Sequence, residues 1–204
     1  MGCDIHMHVE YKDNNKDQWI CGDYLHQSCS DRVMPGYTFE EFFGDRNYSL
    51  FAILANVRNY GNTEYIDDPR GLPDDVSDFV KNAYEDWRLD AHSCSHLTLK
   101  ELIDFHDQCH PLKRSGVISP EAQKLLESGI LPDLWCQGTN RVGWERREWE
   151  EENDVLVPLI CALKKRADEL NLIPNFYWNS DSAMARGTAY EQTANIRIVF
   201  WFDN

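Results

Sequence analysis

Met1-Gly2-Cys3-Asp4-Ile5-His6-Met7-His8-Val9-Glu10-Tyr11 alternates without a break between apolar and polar side chains. Successive residues of a β-strand point to opposite faces. Cys3, Ile5, Met7, Val9 and Tyr11 therefore form one face, and Asp4, His6, His8 and Glu10 the other. An unbroken period of two predicts a strand. Its polar face carries no Lys, Ser or Thr, only two imidazoles between two carboxylates. Residues two apart on one face stand roughly 6.5–7 Å apart, so His6 and His8 can converge on one metal ion. Asp4 joins them as a third ligand, with Glu10 as an extra. Histidine and carboxylate sets are frequent ligands of divalent ions. The competing reading is a wet sheet face that happens to hold two histidines.

A partner strand is legible at the other end. In Asn195-Ile196-Arg197-Ile198-Val199-Phe200-Trp201-Phe202, the residues Ile196, Ile198, Phe200 and Phe202 share one face, and Arg197, Val199 and Trp201 the other. Gln18 to Tyr24 reads as a second strand across a polar turn, and Pro174 to Trp178 as another. Helical patterns fill the middle. Leu50, Phe51, Leu54 and Val57 recur at three- and four-residue steps within 46–60, with Gly61 as the stop. Asp74-Asp75 opens an acidic-started helix to about Trp87. Thr98-x-x-Glu101 is a capping box for a helix to Cys109. Ser119-Pro120-Glu121 begins a short helix stopped by Gly129, and 154–171 is helical with Pro158 in the first turn. Residues 88–97 read as a polar connection, 132–148 as irregular, and the acidic run 148–154 as a solvated loop or helix start. Strands at both ends with helices between predict one α+β domain over 1–204. Its sheet is mostly antiparallel, built from the N- and C-terminal strands, with the helices packed on its apolar face.

The 204 residues suffice for one domain with a real core. The net charge of −15, from 35 acidic and 20 basic residues, argues against duplex nucleic acid as a partner, which demands a basic surface. A small anion in a local basic pocket stays compatible. Seven cysteines, an odd number with no C-x-x-C pair, read as free thiols in a reducing compartment. With no apolar run long enough to span a bilayer and no signal-like start, the expectation is a cytoplasmic protein with no membrane partner.

Further candidates lie along the chain. Asp90 and His92 precede a helix start, where backbone N–H groups favour anions. Either could complete a metal shell with His6 and His8, or move protons as the catalytic group. Their alternative is an Asp–His–Ser capping network with Ser93. His106 and His110 stand one helical turn apart but at a helix end. Arg46, Arg58, Arg70, Arg186 and Arg197 are a thin set of cations in acidic surroundings. Arg58 and Arg70 are the candidates to hold phosphate or carboxylate. No Cys–His nucleophile pair is visible from spacing alone.

The D-x-H-x-H at Asp4, His6 and His8 resembles the first metal-ligand strand of amidohydrolases and of polymerase-and-histidinol-phosphatase-type phosphoesterases. The resemblance implies a divalent ion (Zn, Mn or Mg) on His6 and His8. It does not extend to those families' barrel, since the chain shows no βα alternation and no His after His110. Met-Gly-Cys-Asp-Ile-His at 1–6, Arg-Asn-Tyr-x-Leu-Phe at 46–51, Pro-Arg-Gly-Leu-Pro at 69–73 and Arg-Ile-Val-Phe-Trp-Phe-Asp-Asn at 197–204 are similar to those of a family of uncharacterised bacterial and phage proteins. That resemblance implies no activity, only a setting in which a part in phage counter-defence against nucleotide signalling is conceivable. The leading expectation is a metal-dependent hydrolase of a small anionic substrate, a phosphodiester or nucleotide. The alternatives are a non-catalytic protein that sequesters a nucleotide-like ligand, and an acidic protein that binds a basic partner.

Overall fold

The computed structural model describes residues 2–13, 17–28, 36–44, 46–87, 89–172 and 189–203, with backbone alone at 26–28 and 36–40. In chain order the elements are β1 (Asp4–Asp13), β2 (Gln18–Cys21), β3 (Tyr24–Ser28), β4 (Gly36–Glu40), α1 (Tyr48–Ala55), α2 (Asp78–Trp87), β5 (His92–Thr98), α3 (Leu99–Asp107), β6 (Leu112–Ile118), α4 (Pro120–Glu127), β7 (Glu145–Glu151), α5 (Val157–Glu169) and β8 (Ile196–Asp203). The main sheet has the order β2-β1-β8-β5 and is antiparallel throughout.

The two long alternating strands pair directly. Ile5 faces Phe202, Met7 faces Phe200 and Val9 faces Ile198 on one surface; His6 faces Trp201, His8 faces Val199 and Glu10 faces Arg197 on the other. The first surface is covered by α1, α3 and α5. Leu50, Phe51, Ile53 and Leu54, then Leu99 and Leu102, then Leu159 and Leu163 close the main core over Ile5, Met7, Phe200 and Phe202. Helix α1 is buried from Leu50 to Ala55 without a polar stripe, as a helix in the middle of a core must be. Asn47 caps it by accepting the Ser49 and Leu50 N–H groups. It stops at Asn56, well before Gly61, because Asn56 takes the left-handed conformation at φ 57°. Thr98 and Glu101 form the expected capping box of α3, and Pro158 falls in the first turn of α5.

The second surface is covered too. Helix α2 lays Val80 on Val199, Trp201 and Cys94, ringed by Phe79, Tyr84 and Trp87. This explains why the polar face of β1 has no ordinary solvated residues: His8 and Glu10 are buried, so it is not a wet sheet face. The α+β class holds, with helices on both faces of the sheet.

Three segments differ from the sequence reading. Residues 92–98, read as a connection, form edge strand β5, whose alternation is broken by a bulge between His92 and Ser95. Residues 112–118 and 145–151 pair as a separate two-stranded ribbon. In β7, Glu-Arg-Arg-Glu-Trp-Glu-Glu buries only Trp149, so no period of two was there to read. Strands β3 and β4 form another ribbon within 24–40, where no period was visible. The expected strand at 174–178 and Arg186 lie outside the described residues. Among the described residues no helix is long and apolar enough to cross a membrane.

The ribbon is docked on the loop after α1 at one tight point. A Cβ built on Gly61 would stand 2.1 Å from the Lys113 carbonyl oxygen. Beside it, Thr63 Oγ1 donates to the Lys113 carbonyl at 2.9 Å and accepts the Lys113 N–H at 3.1 Å. Gly61→Ala is therefore expected to cost about 3 kcal/mol in urea denaturation, at the upper end of overpacking effects. Gly138→Ala, with nothing within 4 Å of the added carbon, is the near-neutral control.

Candidate functional site

Each first-strand candidate has its own protein partner. Both Asp4 carboxylate oxygens accept from Arg46, from Nε and Nη2, each at 2.6 Å, which holds the Asp4 carboxyl below its usual range. His6 Nδ1 lies 2.7 Å from Glu41 Oε1, and its Nε2 lies 3.6 Å from Asp203 Oδ2. Its ring rests on Trp87, with centroids 3.9 Å apart. His8 Nδ1 lies 2.7 Å from Asp23 Oδ2, and Glu10 is bonded to Arg197 at 2.8 Å. Among the described residues, no group of three or more His, Cys, Asp or Glu is placed to hold a metal ion.

His92 does not join them. It pairs with Phe202 in the sheet register and stacks on that ring, so it belongs to the Ile5 surface, opposite His6 and His8. The bulge is the cause. One extra residue in β5, with Ser93 in the left-handed region at φ 49°, turns His92 to the other face. Asp90 is exposed, and its N–H donates to the Trp87 carbonyl at the end of α2. The shell of Asp4, His6, His8 and His92 or Asp90 is therefore not assembled. Arg70 is committed to Asp67, Glu101 and the His96 carbonyl, where it ties the 67–71 loop to β5 and α3, away from Arg58.

Burial lowers the pKa of His6, but Glu41 and Asp203 outweigh it, and the net shift is upward. An imidazole raised on folding contributes stability that is whole below its unfolded value of about 6.5 and fades as pH climbs through the folded value. Urea midpoints measured from pH 6 to 9 are expected to fall across that window. The slope should flatten in His6→Asn.

The structure gathers basic groups elsewhere. Loop 56–63 and strand β6 form a small, open cleft of about 70 Å³ lined by Tyr48, Arg58, Tyr60, Lys113, Arg114 and Trp135. Arg58 Nη1 donates to the Tyr60 hydroxyl at 3.1 Å, and its guanidinium lies 5.9 Å from the Tyr48 ring centroid. Arg114 bonds Glu151 at 3.0 Å and Ser49 at 2.5 Å, and lies 5.9 Å from the Trp135 ring. The loop is held rigidly: Asn59 accepts the Thr63 N–H and donates to the Thr63 carbonyl. Arg58 itself sits in the left-handed region at φ 55°, which a long side chain rarely adopts and which concentrates at functional sites. Of the predicted anion-binding pair, Arg58 lines this cleft, whereas Arg70 lines a separate one shared with the carboxylates of Glu64, Glu101 and Asp104. Lys113, Arg114, Tyr60 and Trp135 escaped the sequence reading. Their only signal was an adjacent Lys-Arg pair in a strongly acidic chain. No protein-family model, curated protein or solved structure matches the chain.

Proposed function

We propose that this chain binds a small anionic ligand carrying a planar ring, of nucleotide-like chemistry, in the cleft between loop 56–63 and β6. The observation that carries the reading is the convergence of Arg58 with Tyr60, Trp135 and two further cations, Lys113 and Arg114, each paired with a single carboxylate (Glu64 and Glu151), on one concave surface of a chain with net charge −15. Guanidinium groups suit phosphate and carboxylate oxygens, and exposed aromatic faces stack on bases. Titration calorimetry with adenosine and guanosine mono- and diphosphates tests it. Binding is expected to weaken about 10- to 100-fold in Arg58→Ala, the equivalent of one charge-assisted hydrogen bond. Lys124→Ala, on exposed helix α4, should leave it unchanged. No heat with any of these compounds at millimolar concentration would sink the proposal.

A second reading, metal-assisted hydrolysis of such an anion at β1, has one observation in its favour. Carboxylates engage Nδ1 of both His6 and His8, the arrangement that orients the other nitrogen toward an ion. His6 Nε2 is buried without a hydrogen bond and faces Asp203. A divalent ion there would lower the pKa of a bound water. Metal analysis of untagged protein, with His6→Ala as control, decides it: equal metal content in both would end this reading.

A further inference from the structure

Two residues singled out by sequence, His92 and Arg58, do meet in the structure, but around a third that was not. Cys3 Sγ lies 4.0 Å from His92 Nε2. The Arg58 guanidinium is close enough to pull the pKa of the same thiol down against the effect of burial. The Tyr48 hydroxyl accepts the Cys3 N–H at 3.3 Å. Arg58 and Tyr48 both line the cleft, so the thiol sits directly behind its wall. His92 Nδ1 is 3.0 Å from Ser93 Oγ. With its proton on Nδ1, directed at that hydroxyl, the ring offers the Nε2 lone pair to the thiol.

Two of the seven described non-glycine residues at positive φ flank this cluster. Ser93, whose left-handed conformation makes the bulge that turns His92 onto Cys3, and Arg58, which approaches from the other side, are both non-glycine residues at positive φ. Bulges that re-aim a side chain and strained loop residues recur beside reactive groups.

We propose that Cys3 is a nucleophile, with His92 as its proton acceptor, acting on a phosphoryl group that Arg58 holds at the inner wall of the cleft. This rests on the cleft reading above. The Cys3 S–H proton passes to His92 Nε2 as Sγ attacks phosphorus. The S–P bond forms, the P–O bond to the leaving group breaks, and the leaving oxygen takes the proton from His92. Water then attacks phosphorus as His92 Nε2 takes one of its protons, the S–P bond breaks, and that proton passes from His92 to Sγ to restore the thiol. At rest the thiol is fully buried, and burial raises its pKa. Burial thus favours the protonated thiol at rest, and His92 takes the proton when the phosphoryl group held by Arg58 reaches Sγ.

The test uses two small electrophiles, anionic iodoacetate and neutral iodoacetamide, on the native full chain, with each cysteine read by peptide mass spectrometry. Cys109 and Cys161, both exposed, are internal references. The expected result is that Cys3 is alkylated, with iodoacetate favoured relative to its ratio at Cys109. Arg58→Ala should remove that preference, and His92→Gln should slow Cys3 about a hundredfold, within the usual range for loss of a general base, while the reference cysteines keep their rates. Cys3 left unmodified while Cys109 and Cys161 react, or modified at the same rate in His92→Gln, overturns the proposal. Calorimetry with nucleoside phosphates separates the two claims. Alkylation with these features but no nucleotide binding removes the cleft ligand and keeps the nucleophile; binding with an inert Cys3 does the reverse.

Discussion

Arg197→Ala is expected to destabilise the protein by about 3–5 kcal/mol, the cost of stranding a buried charge. Glu10 is fully buried and Arg197 almost so. The guanidinium donates from Nε to Glu10 Oε2 at 2.8 Å, with Nη2 also 2.8 Å from that oxygen, and from Nη1 to Asp75 Oδ1 at 2.7 Å and Nη2 to the Asp75 carbonyl at 3.3 Å. Its flat face lies 3.9 Å from the Trp19 ring centroid. The other Glu10 oxygen accepts the Ser77 N–H at 2.7 Å, just ahead of α2. One side chain thus ties β8 to β1, to Trp19 of β2 and to the entry of α2. Truncation leaves the Glu10 carboxylate in the core with a single backbone donor. The double substitution Glu10→Gln with Arg197→Met removes both charges and should cost less than Arg197→Ala alone. Urea denaturation of the three variants checks this. A loss under 1 kcal/mol for Arg197→Ala would show that Glu10 reaches water.

The second large effect is at Asp23, a carboxylate buried to 1% exposure. Its two oxygens accept from His8 Nδ1 and from the Val9 N–H, both at 2.7 Å, and Cys21 Sγ is 3.4 Å away. Burial and this neighbouring carboxylate together push the Cys21 thiol pKa well up. The backbone carbonyls of Gly22 and Asp23 are held in turn by Arg166 of α5. Asp23→Ala orphans two buried donors at about 1–3 kcal/mol each, so a loss of roughly 2–5 kcal/mol is expected. Asp23→Asn keeps one acceptor oxygen and should fall between. Equal stabilities for Asn and Ala, by the same urea assay, would contradict this account of His8.

The centre of the sheet was legible because β1 and β8 are long and each has one uniformly apolar face. The sequence placed Arg197 on the face opposite the apolar stripe, and the strand register then set it against Glu10. Thr98 and Glu101 were legible because a cap is a local matter. His92 was not. A single extra residue in β5 moves it from the face of His6 to the face of Ile5, and nothing in Ala91-His92-Ser93-Cys94 announces a bulge. The cleft was half legible. Arg58 stood out as a cation in an acidic chain, but Lys113, Arg114 and Trp135 reach it only through a ribbon of charged residues that carries no period. Arg70 looked equally suited to an anion, but its contacts with two carboxylates, Asp67 and Glu101, show it more than matched, where Arg114 has the one partner Glu151.

The most direct test of the central claim is to map where a nucleotide perturbs the folded chain. Backbone amide shifts of isotopically labelled protein, followed during titration with adenosine monophosphate, should move at residues 58–63 and 113–115. They should stay still at His6 and His8. Shifts confined to the β1 histidines, or none at millimolar nucleotide, would contradict the assignment of the cleft as the binding site.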